Sequence, residues 1–295
     1  MSLPSVPPPM NLLTDVGGLV LWPLYLLISA VLVGWHRLFT DVLGLDASGG
    51  PAWVLAIVGL TVVVRTALIP LFVRQIRSSR DLQLIQPKVR ELQEKYGDDP
   101  QRLALETKEL YRESGTNPFA SCLPLLIQMP IFLALFRLLN QAADGTGHGV
   151  LSDALASQFG RARLWGQVPI SASFLSPDGS LGVQLVAAAL VLAMTVTTFV
   201  TQRQLMTRNM PADAMSGPYA RQQRTLLYVL PVVFAVGGVA FPIGVLVYWT
   251  TSNLWTLGQQ LYVIRNSPAP GTPAMLAKEE RDRARHEDRA PDEGE

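Results

Sequence analysis

Apolar residues in this chain come in long blocks rather than in short alternations. Five blocks have roughly the 20-residue length that a helix needs to cross a bilayer. They are 52–73 (AWVLAIVGLTVVVRTALIPLFV), 119–139 (FASCLPLLIQMPIFLALFRLL), 181–201 (LGVQLVAAALVLAMTVTTFVT), 225–241 (TLLYVLPVVFAVGGVAF) and 243–263 (IGVLVYWTTSNLWTLGQQLYV). Pro242 and Gly244 mark a tight connection between the last two. A sixth block, 16–35, has no lysine or arginine before it and so lacks the basic start of a signal peptide. It contains Pro23, ends in Trp35-His36-Arg37, and fits either a sixth span or a helix lying in the outer interface. The pattern predicts an all-α integral membrane protein with a five-transmembrane-helix core.

Composition agrees. Of 295 residues, 49% are hydrophobic and 16% charged, where soluble domains carry about 25% charged residues. The charges are segregated, and their sign gives an orientation. Loop 74–118 carries Arg74, Arg77, Arg80, Lys88, Arg90, Lys95, Arg102, Lys108 and Arg112. Loop 202–224 carries Arg203, Arg208, Arg221 and Arg224, and the tail carries Arg265, Lys278, Arg281, Arg283, Arg285 and Arg289. Segment 140–180 has only Arg161 and Arg163. Loops 74–118 and 202–224 and the C-terminus are therefore expected in the cytoplasm. Segment 140–180 and the turn at 241–243 are expected outside, which alternates correctly across five spans chosen on hydropathy alone.

The expected organisation is an N-terminal extracytoplasmic segment with an apolar helix (1–51), a first core span (52–73) and a cytoplasmic helical hairpin (74–118). The four remaining spans and their loops (119–265) and a disordered cytoplasmic tail (266–295) follow. In the hairpin, Leu82, Ile85, Val89, Leu92 and Tyr96 are spaced as a coiled-coil seam. Leu103, Thr107 and Leu110 form the facing stripe, and Gly97-Asp98-Asp99-Pro100 is the turn. Asn117-Pro118 is expected to end the second helix at the membrane face. Its basic residues suit a solvated face beside anionic lipid as well as a docking role.

Arg65 stands out because it lies inside the first block, nine residues before Arg74, or about 13 Å from the cytoplasmic end of the helix. A charge at that depth costs at least about 2.5–3.5 kcal/mol. No acidic residue lies in any of the five blocks to offset it. Snorkelling would carry the guanidinium only part of the way to the headgroups. A hydrated cavity between helices accommodates it better. Thr61, Gln128, Gln184, Thr195, Thr198, Gln202, Ser252, Asn253, Thr256 and Gln259 are candidates to line that cavity or to hydrogen-bond between helices. Such a pocket would lower the cost of bringing polar or acidic parts of another chain partway across.

Other chemistries find little support. Cys122 is the single cysteine, it heads an apolar run, and it reads as a small buried hydrophobe. His36, His148 and His286 show no metal-ligand spacing, and no phosphate-binding GxxxxGK[ST] loop occurs. An intramembrane enzyme would need a catalytic pair inside the spans, where histidine and aspartate are absent. A small transporter or channel fits the intramembrane arginine. It is weakened by the lack of an inverted repeat and of intramembrane carboxylates.

The stretches VVVRTALIPL, QPKVRELQEKYGDDPQRLALETKELY, GTNPFASCLPLLIQMPIFLALFRLL and FPIGVLVYWTTSNLWTLGQQ together resemble the YidC/Oxa1/Alb3 family of membrane protein insertases, in its actinobacterial form. The resemblance runs from about residue 18 to about 265. It implies a five-helix core around a hydrophilic groove open to cytoplasm and lipid. It also implies insertion of nascent membrane proteins into the cytoplasmic membrane, alone or with the Sec translocon, without ATP, catalysis, metal or cofactor. Arg65 matches the groove arginine, Trp249 an aromatic position lining the groove, and Gln202 a polar position on the third span. Thr61 and Gln128 are added to this client-binding set. Residues 75–116 match the cytoplasmic hairpin, a candidate contact for ribosome or signal recognition particle components, with no nucleic-acid readout. The counterpart of 20–40 is often an interfacial helix. The mixed-charge tail departs from the basic, ribosome-binding tails of some relatives. Neither a large extracytoplasmic domain nor a lipoprotein cysteine near the start, both known from other members, is expected here.

Overall fold

The computed structural model describes residues 12–116, 123–177, 179–208, 218–268 and 271–287. Cys122 and Asn117-Pro118 lie outside the described residues. Almost everything described is helical: α1 (Leu12–Arg37), a π-helical turn (Leu38–Val42), α2 (Gly50–Ala67), α3 (Ile69–Tyr96), α4 (Pro100–Glu113), α5 (Leu123–Ala143) and α6 (Asp153–Arg161). A two-stranded antiparallel hairpin follows, β1 (Arg163–Leu164) with β2 (Val168–Pro169). Then come α7 (Leu181–Arg208), α8 (Pro218–Gly238), α9 (Ile243–Asn266) and α10 (Pro273–Glu287).

Three described stretches are long and apolar enough to cross a membrane, Trp22–Val42, Gly50–Ala67 and Leu181–Arg208, and Leu227–Gly238 is a shorter apolar helix. Helices α5 and α9 have 21 and 24 residues, also long enough to span, but α9 is diluted by its TTSN and GQQ polar groups. The surfaces suit lipid. Leu181, Leu185, Leu192 and Val196 on α7, and Val229, Val232, Val233 and Val236 on α8, are all exposed. Apolar stripes of that extent on a soluble monomer would drive association.

Helix α9 is the centre of the bundle, packing on α7 and α2, while α8 packs on α7 and α1 packs on α2 and α5. The tightest part of the core lies at one end. There Trp53, Ile57 and Leu60 of α2 meet Leu135, Leu138 and Leu139 of α5, Ile243 and Leu246 of α9, and Phe159 and Ile170 from the α6–β2 segment. The 140–180 segment closes this end. Ile243 and Gly244 donate their backbone N–H groups to the carbonyls of Ala172 and Ile170, both at 2.9 Å. Two of the donors that α9 cannot satisfy internally are thereby occupied.

Four features differ from the sequence pattern or decide between its alternatives. First, the block 52–73 is not one helix. It breaks at Leu68, because Pro70 has no N–H to give to the preceding turn. Helix α3 then runs unbroken through the expected membrane boundary to Tyr96. Second, α1 does not run antiparallel through the bundle. Tyr25 stacks on His148, beyond the end of α5, while His36 stacks on Trp53 near the start of α2, with ring centroids 5.8 and 3.8 Å apart. Both contacts lie at the same end of the bundle, so the described part of α1 lies across that end. Gly59 permits this close approach, since a Cβ there would sit 2.6 Å from the Trp35 ring.

Third, the tail expected to be disordered contains α10. Apart from Asp282, its AKEERDRA run consists of strong helix formers, Pro273 opens it, and the Thr272 hydroxyl accepts the Met275 N–H at 3.3 Å. Fourth, Arg137 lies inside the second apolar block, in the outer third of α5, and is exposed. It sits six residues from the helix end, within snorkelling reach of an interface.

The helical pair α3–α4 is tied by local chemistry. The Asp99 carboxylate accepts the Arg102 N–H at 3.0 Å as N-cap of α4, and the Arg102 guanidinium lies 4.9 Å from the Tyr96 ring centroid. Ile85 and Val89 are buried along the seam.

Candidate functional site

Helix α9 carries polar side chains on two adjacent faces, and each face gathers part of the site. On the first, Tyr248 and Ser252 lie one turn apart, as the i, i+4 spacing requires, and both are buried. Arg65 of α2 meets this face. Its Nε donates to Ser252 Oγ at 2.9 Å, and its Nη2 donates to the same oxygen. Its guanidinium also lies 5.8 Å from the Phe72 ring centroid. Gln128 of α5 donates from Nε2 to the Tyr248 hydroxyl at 2.8 Å. Three helices thus meet through neutral oxygens around one cation. Among the described residues no carboxylate forms a salt bridge with Arg65. The cation is 8% exposed, so side chains cover it and it does not stand in an open channel.

The second face opens into a cavity of about 230 Å³ lined by Thr198, Gln202, Phe234, Trp249, Asn253 and Thr256, among others. Asn253 donates to Thr198 Oγ1 at 2.9 Å and to the Met194 carbonyl at 3.3 Å, joining α9 to α7. Trp249 forms one wall and belongs to an aromatic cluster. Its ring centroid lies 5.1 Å from Phe234, 5.2 Å from Phe132 and 5.7 Å from Phe241. Since Phe241 lies in the α8–α9 turn, the cluster stands between the polar cavity and the closed end of the bundle.

The structure therefore brings Arg65 and Gln128 together through Tyr248 and Ser252, and brings Gln202 and Trp249 together around a neighbouring cavity. Thr61 joins neither group. It is 1% exposed, and its hydroxyl donates to the Ile57 carbonyl of its own helix at 2.7 Å. The backbone bond explains its burial without a site role. Gln184 is exposed away from the cavity, and Gln259 accepts from Trp255 Nε1 at 3.2 Å. Tyr248 is the residue that polarity alone does not single out. Its position four before Ser252 is the signal that could have found it.

Long helices with lipid-suited outer faces, a buried cation among neutral donors and a polar cavity beside it define a polytopic helical membrane protein. The model of the 60Kd inner membrane protein family matches residues 45–270, and the chain belongs to that family. A membrane protein insertase YidC of Streptomyces avermitilis is 44% identical over 262 residues, covering 86% of this chain and 60% of the relative. Thus the chain spans less than two thirds of that protein. The YidC of Tropheryma whipplei strain Twist is 36% identical over 276 residues, covering 89% of each. That of Mycobacterium leprae is 34% identical over 291 residues, covering 84% of this chain and 76% of the relative. A crystal structure of an active YidC insertase with its first transmembrane domain resolved aligns at a TM-score of 0.48 and 22% identity. It covers 85% of this chain and 47% of that one.

Proposed function

We propose that this chain is a membrane protein insertase, which takes nascent hydrophobic chains from the cytoplasm and releases them into the cell membrane. The observation that carries the reading is the Arg65 centre. A permanent cation lies buried in the last turn of the apolar helix α2, held by the Ser252 hydroxyl and matched by no carboxylate among the described residues. The hydrogen bonding of the cation is left incomplete, because one serine oxygen does not neutralise a guanidinium with five donors. A polar or acidic part of an incoming chain can complete it once the side chains that cover Arg65 part.

The Gln202–Trp249 cavity beside it offers amide and hydroxyl groups on one side and aromatic rings on the other. That mixture suits a segment partway between water and lipid. As the client's apolar residues leave water for lipid, their transfer supplies the driving free energy, so the cycle needs no ATP. The α3–α4 hairpin is the proposed first contact for clients, and for ribosome or signal recognition particle components. The Sec translocon is the proposed partner for larger substrates. The charge of the C-terminus and of both basic loops supports a cytoplasmic location for them.

The test is site-specific photo-crosslinking with a stalled, membrane-targeted client. A photoreactive side chain at Gln202 or Trp249 should capture the client, and one at Leu185 on the exposed face of α7 should not. Equal capture at all three positions would remove the cavity from the mechanism.

A further inference from the structure

Away from the Arg65 centre, α10 folds back against the ends of α7 and α9 and leaves a groove of about 680 Å³. Its floor is apolar, made by Leu261 and Ile264 of α9 and Pro273, Ala274 and Ala277 of α10. Three arginines from three helices line it, Arg208, Arg265 and Arg281. Pro273, Ala274, Ala277 and Arg281 share one face of α10 by their three- and four-residue spacing. The acidic residues Glu279, Glu280 and Asp282 fall on its exposed faces. No salt bridge among the described residues engages any of the three arginines. Arg281 donates to the Arg265 backbone carbonyl at 2.9 Å, which fixes α10 over the end of α9.

From this geometry we propose that the groove is a binding site for one anionic phospholipid. The phosphate sits among Arg208, Arg265 and Arg281, and the upper part of an acyl chain lies on Leu261, Ile264 and Ala277. Charge complementarity and position argue for a lipid. The cations cluster at the end of two long helices whose flanks expose Leu261 and Tyr262, so a headgroup and its chain reach charge and apolar floor at once. Arginine suits the role because its planar fork binds two phosphate oxygens together. A soluble anion would engage the arginines but leave the floor uncovered. The proposal is independent of insertase activity and survives if that reading fails.

The full chain is reconstituted in phosphatidylcholine nanodiscs. The motionally restricted fraction of spin-labelled phosphatidylglycerol is then compared with that of spin-labelled phosphatidylcholine. The protein should prefer phosphatidylglycerol, and each of Arg208→Gln, Arg265→Gln and Arg281→Gln should lower the preference by about fivefold. Arg281→Lys should retain only part of it, since the charge stays and the fork is lost. Removing one cation from the hairpin, in Lys108→Gln, should change it far less, and helicity by circular dichroism should match throughout. Equal restriction of both lipids by the unaltered protein would overturn the proposal, as would an equal loss from the hairpin variant. Displacement of phosphatidylglycerol by inorganic phosphate at equal concentration would assign the groove to a free anion and overturn the lipid assignment too.

Discussion

The contact between Arg65 and Ser252 makes a quantitative prediction. Both side chains are buried, at 8% and 3% exposure, and two guanidinium donors converge on one hydroxyl oxygen. Ser252→Ala leaves those donors facing a methyl group. A hydrogen bond to a charged group is worth about 1.5–3 kcal/mol, whereas neutral bonds between membrane helices average about 0.6 kcal/mol. Ser252→Ala is therefore expected to destabilise the protein by about 1.5–3 kcal/mol. In an Arg65→Leu background the same change should cost no more than a neutral bond, because the serine hydroxyl can turn to a carbonyl of its own helix. The coupling energy should then be about 1–2.5 kcal/mol. It is measured by a double-mutant cycle on reversible unfolding in mixed micelles. Additivity within about 0.3 kcal/mol would refute the contact as the restraint on Arg65.

Other parts of the structure give further expectations. Tyr248→Phe removes the acceptor of Gln128 and should cost about 1 kcal/mol by the same unfolding measurement, with Gln128→Leu/Tyr248→Phe recovering part of it. Gly59→Val sets a side chain against the Trp35 ring. It should lift α1 from α2, read as a longer distance between spin labels at Val31 and Val62, and Trp35→Ala should restore the spacing. Asp99→Ala removes the α4 N-cap and should lower hairpin stability by about 1 kcal/mol, seen as faster protease cleavage near residue 98. In the turn before α2, the Ser48 hydroxyl and N–H both donate to the Asp46 carboxylate and hold its pKa below the ordinary value. That contribution to turn order is present above the ordinary carboxylate pKa and is lost as pH falls through the lowered one. A Ser48 amide shift that moves only at or above the ordinary pKa would contradict it.

The helices were legible because an apolar block of about 20 residues is too long for a buried strand and long enough to cross a bilayer as a helix. Arg65 was legible because one charge in such a block has no cheap environment. What stayed hidden depends on tertiary register. Tyr248 and Ser252 become partners of Arg65 and Gln128 only once α9 is rotated against α2 and α5. Thr61 looks like a groove residue by polarity, yet its hydroxyl turns back to Ile57. The break at Pro70 and the continuity of α3 to Tyr96 show that a change from apolar to charged residues is a change of solvent, not of backbone. The charge of the α10 region points to disorder, but its alanines, glutamates and arginines are helix formers once Pro273 starts the turn. The lie of α1 across one end of the bundle rests on Tyr25–His148 and His36–Trp53, contacts between residues far apart in the chain.

The most direct test of the insertase reading uses liposomes containing only this purified protein and a short two-span client, without nucleotide, scored by protease protection. Protected client well above empty liposomes is the expected result. Arg65→Ala should also lower protection more for clients with charged translocated segments than for fully apolar ones. Protection at the level of empty liposomes would contradict the insertase reading, and an equal effect of Arg65→Ala on both client types would contradict the role given to Arg65 in it.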